Sequence, residues 1–169
     1  PNLPTPAGCP PHDAGVGSHF GGPVSKSKRI GTAAESALVR YLTDLGLNAR
    51  RVALAGALDE GDVHVIDRTG RVCVIEVKSG KQADNPSHQQ RRAWWGEAVK
   101  ESVNVGAAAD VPVLVMKRRG SGDGSVGDWW VVIDHDDYLH LIGHQPGIGG
   151  ALIQITVADL VSALKRKGF

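Results

Sequence analysis

The chain has little of what marks a specialised environment. Only two of its 169 residues are cysteine. Cys9 lies in a Pro/Gly-rich stretch and Cys73 inside an apolar strand pattern, a poor pairing for a bridge, so a disulfide scaffold is excluded and both are expected to be free thiols. No stretch approaches the roughly 18 uninterrupted apolar residues of a membrane span. Nor does a charged segment followed by an apolar run mark a secretory signal, and a soluble, cytoplasmic chain is the expectation. Charge of one sign is also scarce: the formal net charge is +1. Total charge therefore says nothing about partners, and only the placement of charges can. There is no internal repeat. The chain opens on Pro1 without an initiator methionine, which leads us to expect processing or an excerpt from a longer polypeptide.

What is present suits one domain, since 41% of the residues are apolar, enough for a single core at this length. Residues 1–25 hold six of the nine prolines with repeated glycines, and without apolar periodicity they are expected to form a flexible tail. The domain is expected over 26–169. From Lys28 to Gly46 the residues Ile30, Ala34, Ala37, Leu38, Tyr41, Leu42 and Leu45 recur at helical spacing. Short strands follow at Ala49–Leu54, Val63–Ile66 and Val72–Val77, the last two joined as a hairpin by Asp67-Arg68-Thr69-Gly70. A polar loop from Ser79 to Ser87 leads to a helix over His88–Val103, then a buried strand at Val111–Met116 reached by a crossover. A Gly/Ser-rich turn at Gly120–Gly127 and a strand at Trp129–Ile133 come next, and Thr156 caps a last helix reaching Lys165. The pattern predicts an α/β fold with a mixed sheet flanked by helices.

One constellation carries chemistry. Gly61-Asp62 opens a strand, and thirteen residues separate Asp62 from Glu76 in Glu76-Val77-Lys78. Side chains alternate along a strand, so Val72, Val74, Glu76 and Lys78 share one face while Cys73, Ile75 and Val77 share the other. In the hairpin, Asp62 stands near the end of the next strand, where two carboxylates and an amine converge. Glu and Lys at i and i+2 are common on solvated faces, but here they end a strand that is apolar on both sides, where charge is costly unless it is used. Hard cations such as Mg²⁺ take one or two carboxylates plus water and substrate phosphate. A metal at Asp62 and Glu76 would polarise a phosphate and help generate hydroxide, with Lys78 orienting or helping to deprotonate the attacking water and offsetting charge.

Other signals are weaker. Glu35 flanks the apolar stripe of the first helix and either reaches inward or remains a solvated glutamate favoured by the helix dipole. Basic residues gather at Lys26, Lys28 and Arg29, at Arg50 and Arg51, at Lys78 and Lys81, at Arg91 and Arg92, and at Lys117, Arg118 and Arg119. Contacts of this kind position a phosphate backbone without reading bases. Of these, Lys26, Lys28, Arg29, Arg51, Lys81 and Arg91 are the candidate DNA-binding set. Trp94, Trp95, Trp129 and Trp130 are expected in the core or a subunit interface, at most one of each pair being buried. Cys9 with His12 and His19 lacks a complete zinc set, and Asp134-His135-Asp136-Asp137 is expected to turn or cap the chain. His64 shares a strand face with Asp62 and is expected to be a satisfied strand histidine.

Together these residues resemble the PD-(D/E)XK nucleases, and within them the archaeal-type Holliday junction resolvases and their phage relatives. The resemblance spans about Lys26 to Ser102. It rests on Arg29-Ile30-Gly31 followed by Glu35, on Gly61-Asp62, and on Ile75-Glu76-Val77-Lys78-Ser79. It implies a restriction-endonuclease-like fold, a metal site of Glu35, Asp62 and Glu76 with catalytic Lys78, and a helix glutamine near it, Gln89 or Gln90. It further implies Mg²⁺, with Mn²⁺ a possible substitute, a branched DNA substrate, a homodimer cutting both strands of a junction, and the host cytoplasm if the protein is phage-encoded. The chain departs from the family name by carrying Gly61 in place of proline. A linear-DNA exonuclease or restriction-type domain of a larger protein uses the same chemistry. A non-catalytic DNA-binding module is the alternative of another class.

Overall fold

The structure, a computed structural model, describes residues 25–52, 59–145, 147 and 150–169. Its first element is helix α1 (Lys26–Asp44), which starts where the Ser25 hydroxyl accepts the backbone N–H of Lys28. That cap satisfies one of the donors left open at a helix start. Ala34, Ala37, Leu38 and Leu42 of α1 are buried. The predicted stripe runs out at its ends, where Ile30 and Leu45 are exposed.

The predicted strands appear as β1 (Ala49–Arg51), β2 (Val63–Ile66) and β3 (Val72–Lys78). Residues 53 and 54 of the first expected strand lie outside the described residues, as does the tail to residue 24. β2 and β3 form the expected antiparallel hairpin, with Val63 opposite Ile75 and Ile66 opposite Val72. Asp67 holds the turn closed: its carboxylate accepts from the backbone N–H groups of Thr69 and Arg71, the Thr69 hydroxyl and Arg71 Nε. Burial pushes the Asp67 carboxyl up, but those hydrogen bonds together hold it well below the usual carboxylate range.

After a short helix α2 (Lys81–Asp84), helix α3 (His88–Val105) crosses the sheet and delivers β4 (Ala109–Met116) parallel to β3. The chain continues through β5 (Trp130–Asp134), α4 (His135–Leu141), β6 (Leu152–Thr156) and α5 (Val157–Lys167). The result is a mixed α/β fold with an open six-stranded sheet in the order β1-β2-β3-β4-β5-β6, of which only β3 and β4 pair in parallel. Among the described residues no helix is long and apolar enough to cross a membrane.

The sheet separates two cores. Val63, Val65, Cys73, Ile75 and Val77 pack with α1 and α5 on one face, while Leu114, Met116 and Val132 meet Trp94 of α3 on the other. Cys73 is a buried free thiol. Trp94 and Trp129 are buried, with Trp95 and Trp130 half-buried beside them. At the far edge, Thr156 and Asp159 form a reciprocal capping box for α5, and Gly168 ends that helix in a left-handed conformation. Asp134 caps α4 by accepting from the Asp136 N–H, so the acidic run there is a helix start.

Candidate functional site

β3 is buried along its length until Lys78. Glu76 emerges on the face covered by α3 and is only 7% exposed. Asp62 comes to it from the start of β2. Its backbone N–H donates to the carbonyl of Ile75 at 3.1 Å, and its Oδ2 accepts the N–H of Val77 at 2.9 Å. The Asp62 carboxylate is thereby fixed on the β3 backbone at Val77, the residue between Glu76 and Lys78.

The approach of β2 depends on Gly61. Its φ is +85°, and a Cβ there would stand 2.9 Å from Val74 Cγ1. Proline is locked near φ −65°, so the glycine is what this turn geometry requires.

Burial, and next the charge of Glu76, push the Asp62 carboxyl up to about 7, against the N–H of Val77 and with a further push from Glu35. Burial likewise pushes Glu76 up to about 7, against the pull of the Lys78 ammonium. The pair thus resists holding two negative charges unless a cation joins it. Lys78 Nζ donates to Glu76 Oε1 at 2.5 Å and lies 2.8 Å from Glu97 Oε2 of α3. Burial works to remove the Lys78 proton, but the two carboxylates outweigh it and raise the group above the ordinary lysine range.

Glu35 reaches inward from α1 and is held by Arg51, whose Nε donates to Glu35 Oε2 at 2.9 Å. Arg51 therefore acts here as the partner of a site carboxylate. Gln89 and Gln90 are both exposed in the first turn of α3. Gln90 falls on the helix stripe of Trp94, Glu97 and Glu101, about 10 Å along the axis from Glu97. The side chains that α3 brings to the site are Glu97 and Glu101, neither of which the sequence analysis singled out. Their signal was positional: carboxylates at helical spacing in line with the buried Trp94 and Ala98.

Lys26, Lys28 and Arg29 are exposed at the start of α1, and Lys81 is exposed in α2. Arg91 donates to Gln154 Oε1 at 3.2 Å and lines a cleft with His88 and Arg92. His64 is buried, with Nε2 2.7 Å from the Glu60 carbonyl, a satisfied strand histidine. Cys9, His12 and His19 lie outside the described residues.

Among the described residues no three His, Cys, Asp or Glu side chains already enclose a metal position. Mg²⁺ commonly keeps several waters and takes one or two carboxylates, and the donor chemistry of Asp62 and Glu76 fits that demand. No family model matches the chain, and no curated protein matches it.

Proposed function

We propose that the chain is a metal-dependent, structure-selective DNA endonuclease with a restriction-endonuclease-like fold, resembling the PD-(D/E)XK Holliday junction resolvases. The observation that carries this reading is the convergence of Asp62 and Glu76 from adjacent strands, with Lys78 hydrogen-bonded to Glu76. Asp62 and Glu76, with Glu35 behind them, would hold Mg²⁺ or Mn²⁺, and the bound ion would act as Lewis acid toward the scissile phosphate and lower the pKa of the attacking water. The chain's own groups then have separate tasks. The N–H of Val77 fixes the Asp62 carboxylate. Lys78, hydrogen-bonded to Glu76 and beside Glu97, would orient the water and offset charge growing on the phosphate.

The exposed Lys26, Lys28, Arg29 and Lys81, with Arg91, supply phosphate contacts that position a duplex without reading its sequence. A homodimer would place two such sites on a two-fold junction. The test is cleavage of a synthetic four-way junction against a linear duplex of the same sequence in Mg²⁺. Symmetric nicking of the junction, with the duplex cut at least tenfold more slowly, supports the resolvase reading. Equal or faster degradation from duplex ends replaces it with the exonuclease reading, and binding without cleavage supports a non-catalytic module.

A further inference from the structure

Beside the acidic site the same face of the sheet carries a basic one. A cleft of about 370 Å³ opens where α2, the start of α3, the end of β4 and the start of β5 meet, with Arg91, Arg118, Arg119, Trp130 and Gln154 on its walls. Asp84 is the one carboxylate lining it, and among the described residues it forms no ion pair with any of the three arginines. Guanidinium groups gathered without a counter-charge repel one another, and an anion relieves this.

The groups are also held in place. The Arg118 guanidinium carbon lies 5.0 Å from the centroid of the half-buried Trp130 ring, a cation–π contact that keeps it over the indole while the residue stays exposed. Arg91 is anchored by its 3.2 Å bond to Gln154 Oε1, which leaves the N–H groups of that amide free to donate.

The strand register sets where the cleft stands relative to the carboxylates. Lys78 pairs with Met116 and Met116 with Trp130, so the three side chains form a row across the face under α3. At about 4.8 Å per strand, Trp130 stands about 10 Å from Lys78. That is the reach of about three stacked nucleotides at roughly 3.4 Å each.

We infer that this cleft takes an unpaired nucleotide of the DNA strand that runs past Lys78. Its base stacks on the open side of the Arg118 guanidinium, Gln154 donates to the base edge, and Arg91 and Arg119 hold the flanking phosphates. Every base offers a π-face to such a plane, so the contact captures unstacked nucleotides without selecting a sequence. A base inside a duplex has both faces covered and is not captured. The inference rests on the nuclease reading for its choice of DNA, and it narrows the substrate to DNA whose strands part beside the cut.

The experiment measures binding by the full chain in chelator, using fluorescence anisotropy of a labelled oligothymidylate, the same strand with abasic sites, and a blunt duplex. Wild type is expected to bind the oligothymidylate at least fivefold more tightly than the abasic strand. Arg118→Lys, which keeps the charge but gives up the planar group, is expected to bind the two alike, with its duplex affinity within twofold of wild type. Equal binding of the two strands by wild type, or a preference that Arg118→Lys retains, overturns the assignment. Junction nicking in Mg²⁺ is followed alongside. Nicking without the base preference overturns the cleft alone, whereas an Arg118-dependent preference without nicking supports the cleft and overturns the nuclease reading.

Discussion

Burial makes both Asp62 and Glu76 harder to ionise, and the charge of Glu76 adds to that at Asp62, which has two readable effects. Asp62→Asn keeps an oxygen for the Val77 N–H and removes one charge of the pair. It is expected to raise the melting temperature at pH 8 while lowering Mg²⁺-dependent cleavage by at least 100-fold, measured by thermal unfolding and by junction nicking. A variant that loses stability and activity together would mark Asp62 as structural. Lys78→Met is expected to lose cleavage in the same assay, since an apolar chain of similar length neither orients water nor offsets charge. Restoring a cation with Lys78→Arg should recover only part of it, because the guanidinium fork differs in shape from an ammonium.

At the scale of elements, the hairpin and its glycine set the aim of the site. Gly61→Ala adds a Cβ 2.9 Å from Val74 at a φ of +85°. The expected cost is about 1–3 kcal/mol, with a larger loss of cleavage than the loss of folded protein explains. Thr156→Ala, at the distant cap of α5, is expected to cost about 1 kcal/mol with cleavage per folded molecule unchanged. Denaturant melts beside single-turnover rates separate the two cases. Alternation along Val72–Lys78 made β3 and the shared direction of Glu76 and Lys78 legible in the sequence, as Asp67-Arg68-Thr69-Gly70 did the turn. Less was legible after Ile133. The sixth strand, Leu152–Thr156, has three apolar residues at an edge, and α4 is only seven residues long, too short to show a period. Glu97 and Glu101 were missed for a related reason. A glutamate on a mostly polar helix reads as an ordinary surface position until the helix is seen lying over β3, where Glu101 is buried and the exposed Glu97 meets Lys78.

For the whole molecule, the site imposes a pH dependence. Asp62 and Glu76 titrate near 4 when unfolded and are pushed up to about 7 in the fold. In that window the folded chain binds more protons than the unfolded one, so stability falls as pH rises from about 4 to about 7. Asp67 and Asp159 are shifted the other way, so their contribution is present above about 4 and is lost as pH falls further. Maximum stability without divalent ions is therefore expected near pH 4, with a decline toward pH 8 that Mg²⁺ reverses. Melting temperatures from pH 3 to pH 9, with and without Mg²⁺, check this, and a flat profile between pH 5 and pH 8 would count against the coupled pair.

Two strands bringing opposed carboxylates beside a protonated lysine are the core of the account, and the most direct test is phosphodiester cleavage itself. Wild type and Asp62→Ala, both shown to be folded, are incubated with a four-way junction in Mg²⁺ and in chelator. The account predicts nicking by wild type in Mg²⁺ alone and none by Asp62→Ala. Cleavage that persists in chelator, or that Asp62→Ala performs as well as wild type, would contradict it.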